Sequence, residues 1–332
     1  MSQTKFFQNS VFIQETASIV GPKEADGPIS GYFDRKLEDD LLGQKTYELA
    51  ESKLHALTIR LLLNKAKLNE KDIDLCIGGD LTDEIYCSNF AMRDFDIPFL
   101  GMYSACATFG ATLISAALYI YSGQMNKVVC STTSHFSSAE RQYRFPLEFG
   151  NQRTPLAQWT VTGCGASLLN NKEGHIKLES ATIGKIVDFG VSDVNNMGAA
   201  MAPAAMKTIL SHLEETSRDA DYYDLIATGD LGDGGLQLLK EIAKDEGIRF
   251  DKTNCTDCGI LIFNREAQKV GQGGSGAGCS SAVFNGYIYN KMIERQYRNV
   301  LLVPTGALIS KTSSLQGQTI PGIAHAISFE RI

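Results

Sequence analysis

Read for apolar and polar positions, the chain repeats itself. Asp74-Leu-Cys-Ile-Gly-Gly-Asp-Leu81 is echoed by Asp224-Leu-Ile-Ala-Thr-Gly-Asp-Leu231, each a short apolar run ending in Gly-Asp-Leu. Each run predicts a buried strand whose C-terminal end turns on a glycine and presents an aspartate. A helical pattern precedes each, Gln44 to Lys67 in one case and Met197 to Glu215 in the other. Further on, Cys106-Ala-Thr-Phe-Gly-Ala-Thr-Leu and Cys279-Ser-Ser-Ala-Val-Phe each open a predicted helix. At the same spacing from each cysteine come the apolar strands Asn126-Lys-Val-Val-Cys-Ser and Asn299-Val-Leu-Leu-Val-Pro. Closing strands are expected over Gly165–Leu169 and Ala324–Phe329. Strands alternating with helices predict an α/β fold, and the repeat predicts two pseudo-twofold-related halves, 1–173 and 174–332, each with a mainly parallel sheet covered by helices. The segment Thr132–Trp159 has no expected counterpart in the second half and reads as an insertion, the usual material of a lid or pocket wall.

Composition narrows the class. With 43% hydrophobic and 21% charged residues the chain is an ordinary globular protein. A formal charge of -7 leaves no electrostatic footprint for nucleic acid. Polar residues break up the apolar ones in the first ten positions, so no signal peptide is expected, and the longest nearly apolar run, Ala111 to Tyr121, falls short of the roughly 20 residues of a bilayer span. The 8 cysteines are scattered, and the single C-x-x-C pair, Cys255 and Cys258, has no second pair at zinc spacing, so reduced thiols and no intrinsic metal are expected.

Cys106, among small residues at a strand-to-helix turn, is the candidate nucleophile position. A thiol there meets free backbone N–H groups and the positive end of the helix dipole, which favour thiolate and bound anions. Asp80 and Asp230, at the two Gly-Asp-Leu turns, stand where α/β folds bind ligands, with Asp83 close by; as turn residues or helix caps they would serve structure alone. Of the five histidines, His135 in the insertion and His325 before the closing strand can approach the cysteine. His55 and His212 fall in predicted helices and His175 in a predicted strand. Arg141 and Arg144 in the insertion are candidate carboxylate forks or surface ion-pair partners.

The duplication and the cysteine turn resemble the thiolase superfamily, which implies a five-layer αβαβα arrangement. Active condensing enzymes of that superfamily add a histidine from a second loop and an Asn or His at the second central helix. Here the loop reads Ala227-Thr-Gly-Asp-Leu-Gly-Asp-Gly-Gly235, and the repeat puts Cys279 at the other position, so two of three catalytic groups are missing. The strings Thr133-Ser-His-Phe-Ser-Ser-Ala-Glu-Arg-Gln-Tyr-Arg-Phe, Met197-Gly-Ala-Ala-Met-Ala-Pro and Ile320-Pro-Gly-Ile-Ala-His-Ala-Ile-Ser-Phe-Glu-Arg are similar to the stage V sporulation protein AD family. That resemblance implies a thiolase fold without condensing activity and binding of dipicolinic acid or its calcium chelate during uptake into the spore. It implies no cofactor, peripheral placement at the spore inner membrane, membrane proteins of the stage V sporulation A operon as partners, and a homodimer, the usual state of thiolase folds. The expected ligand residues are Cys106, Asp80, Asp83, His135, Asp230, Cys279, His325, Arg141 and Arg144, with Asp80 and Asp230 as ligands of calcium held by dipicolinate. The alternative is an acyl-thioester condensing enzyme or acyltransferase using Cys106.

Overall fold

The computed structural model describes residues 2–8, 10–143, 153–250 and 254–332. Ten strands carry the architecture: β1 (Phe12–Val20), β2 (Leu75–Gly79), β3 (Phe99–Gly101), β4 (Lys127–Ser134), β5 (Gly163–Asn170), β6 (Ile176–Thr182), β7 (Leu225–Thr228), β8 (Asn254–Asp257), β9 (Asn299–Val303) and β10 (Ala326–Arg331). The first five lie in the order β3-β2-β4-β5-β1 and the second five in the order β8-β7-β9-β10-β6, the same order shifted by five. In both sets one strand, β5 or β10, runs against the other four. The sets join edge to edge where Phe12 and Ile13 of β1 pair with Lys177 and Ile176 of β6.

Helices fill the layers. Helix α1 (Tyr47–Ala66) starts three residues later than the pattern suggests because Thr46 caps it, its hydroxyl accepting from the Leu49 N–H, and it ends on Lys67 in the left-handed region. Together with α2 (Tyr86–Met92) it covers the outer face of the first sheet through Ile59, Leu62, Cys76, Met92 and Val129. Helices α5 (Met197–Thr216) and α6 (Gly232–Asp245) do the same for the second sheet. Between the inner faces lie α3 (Thr108–Tyr121) and α7 (Ala277–Val283), the latter continuing through a π turn at Phe284–Ile288. One core cluster spans both sheets there, with the Phe284 ring 5.9 Å from Phe109 of α3 and 4.6 Å from Phe329 of β10. This is the five-layer αβαβα arrangement.

Four sequence expectations shift. Thr132–Ser134 belong to β4, where they pair with Gly163–Gly165 of β5, so the insertion begins at His135. Its described part opens with α4 (Phe136–Tyr143). The second half does have a counterpart: residues 304–325 leave the sheet after β9, pair Thr305–Ala307 with Gly322–Ala324, and carry the short helix α8 (Lys311–Leu315). His175 lies just ahead of β6, and the closing strand runs to Arg331 because its pairing with β6 continues to Ile176.

Candidate functional site

The turn after β3 places Cys106. Gly79 at the end of β2 lies so close to it that a Cβ would sit 2.0 Å from the Met102 carbonyl oxygen. Ala105, immediately before the cysteine, is held at φ 49°, a conformation strained for a residue with a Cβ. The helix itself starts two residues past the cysteine, at Thr108, with Ala107 at its N-cap. Cys106 packs against Leu81, Ala139, Tyr143 and Ala277, so the insertion helix α4 and the start of α7 close over it.

The thiol meets the carboxylate of Asp230. Thr305 donates its hydroxyl to Asp230 Oδ1 at 2.7 Å, the Gly276 N–H donates to Oδ2 at 3.1 Å, and Gln158 Nε2 donates to the Asp230 carbonyl at 2.5 Å. Burial raises Asp230 to about 7. Burial, and next the Asp230 charge and hydrogen bond, hold the Cys106 thiol well above its ordinary value. The helix start therefore does not produce the thiolate that the sequence suggests, because desolvation and a neighbouring carboxylate outweigh it. Iodoacetamide at neutral pH should modify Cys106 slowly, and Asp230→Asn should speed the reaction at least about tenfold, the change in thiolate that one unit of thiol pKa brings. Peptide mass spectrometry over time reads this directly, and unchanged labelling would remove Asp230 from the thiol's surroundings.

The other expected residues separate. Ala277, not Cys279, faces Cys106; Cys279 is fully buried two residues on and its thiol donates to the Gly229 carbonyl at 3.5 Å. His135 Nδ1 accepts from the Ser137 N–H at 3.1 Å, which assigns the proton to Nε2, donated to the Asp40 carbonyl at 2.8 Å. His325 accepts from the Gly184 N–H at 3.2 Å and is lowered to about 4 by burial, hence neutral. Asp80 accepts from the N–H and hydroxyl groups of both Thr82 and Ser88, so its carboxylate holds its own turn. Asp80 and Asp230 are thus both engaged by protein donors. Arg144 lies outside the described residues.

Asp83 and Arg141 do come together. On the outer side of α4 they line a cavity of about 360 Å³ with Glu48, Thr82, Glu84, Tyr86, Ser138, Gln142 and Lys311. Arg141 bridges to Glu48 at 3.0 Å. Glu84 (φ 57°) and Ile85 (φ 47°) are consecutive left-handed residues on its rim, a second strained stretch. Tyr143, packed on the same cluster as Cys106, donates its hydroxyl to the Leu81 carbonyl at 2.7 Å and bonds the Tyr103 hydroxyl at 3.0 Å. Three carboxylates lining one cavity with an arginine and a lysine suit a ligand that carries both carboxylates and a bound cation.

Residues 1–330 match the profile of the family described as stage V sporulation protein AD (SpoVAD). Stage V sporulation protein AD of Bacillus subtilis (strain 168) is 40% identical over 329 residues, covering 99% of this chain and 97% of the relative. The chain belongs to the stage V sporulation protein AD family. Solved structures share its fold at low identity. A variant of Xanthomonas campestris OleA is 14% identical with a TM-score of 0.63, covering 98% of this chain and 99% of its own. Human mitochondrial 3-ketoacyl-CoA thiolase is 12% identical with a TM-score of 0.59, covering 97% and 98%. The 3-oxoacyl-[acyl-carrier-protein] synthase III of Aquifex aeolicus VF5 is 12% identical with a TM-score of 0.57, covering 96% and 99%.

In this SpoVAD-family chain, Lys311, Ala277 and the Tyr103–Tyr143 pair escape sequence reasoning. Lys311 sits in a polar stretch, Ser310-Lys-Thr-Ser-Ser-Leu, whose visible signal is the capping of α8 by Ser310. Ala277 precedes the cysteine that the repeat picks out by two positions, half a helical turn, enough to change which side chain faces Cys106.

Proposed function

We propose that this sporulation protein is a non-catalytic binding subunit for dipicolinate, taken as its calcium chelate, in uptake by the developing spore. The outer cavity carries the reading: Arg141 and Lys311 line it together with Glu48, Asp83 and Glu84. The cations match the ligand carboxylates and the protein carboxylates complete the coordination of its calcium, which takes six to eight oxygens. Among the described residues no helix is long and apolar enough to cross a membrane, so the permeation path falls to membrane partners of the stage V sporulation A operon. The protein then works peripherally at the spore inner membrane, as a homodimer.

Calorimetry with dipicolinate, with and without calcium, tests this. Binding should be at least about tenfold tighter with calcium, the equivalent of one added carboxylate ligand or roughly 1.4 kcal/mol. No binding in either condition sinks the proposal. One observation favours the condensing-enzyme or acyltransferase reading, the strained Ala105 ahead of Cys106, which keeps the cysteine at a sharp turn. Turnover of an acyl thioester that disappears in Cys106→Ala would establish it instead.

A further inference from the structure

We infer that Glu51, Asp80 and Cys87 form a binding site for a divalent transition-metal ion, with zinc the ion their donor set suits. Glu51 comes from α1, Asp80 from the end of β2 and Cys87 from α2, all buried, and their donor atoms lie within 4.8 Å of one another. Tetrahedral zinc, with bonds of about 2.0 to 2.3 Å, needs donors roughly 3.3 to 3.8 Å apart, so a closure of about 1 Å makes the site.

Two buried groups at the cluster have no partner beyond each other: Glu51 Oε1 and the hydroxyl of Ser138 on α4, which is 2% exposed. One helical turn from Glu51, His55 is fully buried with neither ring nitrogen bonded, against Gly78, two residues before Asp80. The acidic neighbours of Glu51 are Asp80 and Glu48, and those of Cys87 are Glu51 and Asp80. Acidic groups buried together stay neutral unless a cation pairs with them. A thiol beside carboxylates suits zinc better than calcium, which prefers oxygen alone.

The Asp80 carboxylate keeps its orientation from the Thr82 and Ser88 N–H groups, as metal ligands are commonly held, and the ion would take the place of the two hydroxyls that also reach it. Thr82 and Ser138 also line the outer cavity, which gives the ion a way in. The proposal is independent of dipicolinate binding.

The test is titration of metal-depleted full-length protein with zinc against a chromophoric chelator, and with cobalt followed by absorption. Expected are one ion per chain and a sulfur-to-cobalt charge-transfer band. Cys87→Ser should abolish the band, and both Cys87→Ser and Glu51→Gln should weaken zinc by about 10- to 100-fold, the scale for disturbed metal sites. Glu51→Gln is isosteric and decides alone should Cys87→Ser fail to fold. Wild-type protein that takes up no zinc overturns the proposal. So does equal affinity in folded Glu51→Gln, which places the ion on surface groups.

Discussion

Arg141→Glu should abolish dipicolinate binding and leave the protein folded. The arginine side chain is half exposed and its ion pair with Glu48 is a surface pair, so removing it should cost at most about 1 kcal/mol of stability. A charge-assisted bond from a guanidinium to a ligand carboxylate is worth roughly 1.5 to 3 kcal/mol, and reversing the charge adds repulsion, so affinity should fall by about 100-fold or more. Asp83→Asn should behave differently, weakening the calcium chelate while sparing or improving the free dianion, because a carboxylate attracts one and repels the other. Calorimetry on the two variants with both ligand forms gives four values. Should Arg141→Glu bind within about twofold of wild type, the ligand lies instead against Cys106. Cys106→Phe would then be the decisive variant, provided that its overpacking, about 1 to 3 kcal/mol, leaves it folded.

The largest loss of stability should come from Asp257→Ala. This carboxylate, fully buried at the end of β8, accepts from the Thr228 hydroxyl at 2.6 Å and from the N–H groups of Leu231 at 2.8 Å, Gly232 at 3.1 Å and Gly259 at 3.0 Å. It ties the β7 turn that carries Asp230 to the neighbouring strand. Three orphaned amides at about 1 to 3 kcal/mol each place the loss at several kcal/mol, or a fall in Tm of about 10 °C. Its ionisation also sets a pH dependence. Burial raises Asp257 to about 6 and Asp230 to about 7, above the ordinary 3.8. The unfolded chain therefore loses these protons first, and the stability they contribute, complete below about pH 4, disappears as pH rises through 6 to 7. Thermal melts across that window should show wild type losing stability with rising pH and Asp257→Ala losing less. A parallel pair of curves would show that Asp257 ionises alike in the folded and unfolded states.

The sheet was legible because its strands are short apolar runs bounded by turns, and because duplication let each half check the other. Asp74–Leu81 and Asp224–Leu231 land on β2 and β7 in equivalent places. Side-chain direction was less legible. Asp80 and Asp230 occupy matching turns, yet one bonds Thr82 and Ser88 and the other Thr305, Gly276 and the Cys106 thiol. The partners of Asp80 lie within eight residues of it, whereas those of Asp230 come from distant segments, which the turn sequence does not reveal. The outer cavity is half legible: Arg141 and Asp83 carry charge in suggestive stretches, whereas Lys311 joins them only because the fold brings the start of α8 to the same cavity. The thiol's ionisation is not legible for an electrostatic reason, since a helix start is visible in sequence and the desolvation that opposes it is not.

Among the described residues, the excursions that follow β4 and β9 contribute to a common cavity. Arg141 from the first and Lys311 from the second meet in one cavity. A doubled scaffold therefore offers a stoichiometry of one ligand per chain, and an isotherm with two equivalent sites would contradict the geometry. It also makes occupancy a property of the whole chain: neither half, expressed separately, would hold both cations, and any motion that shifts α8 relative to α4 would change affinity without touching a single residue of the ligand shell.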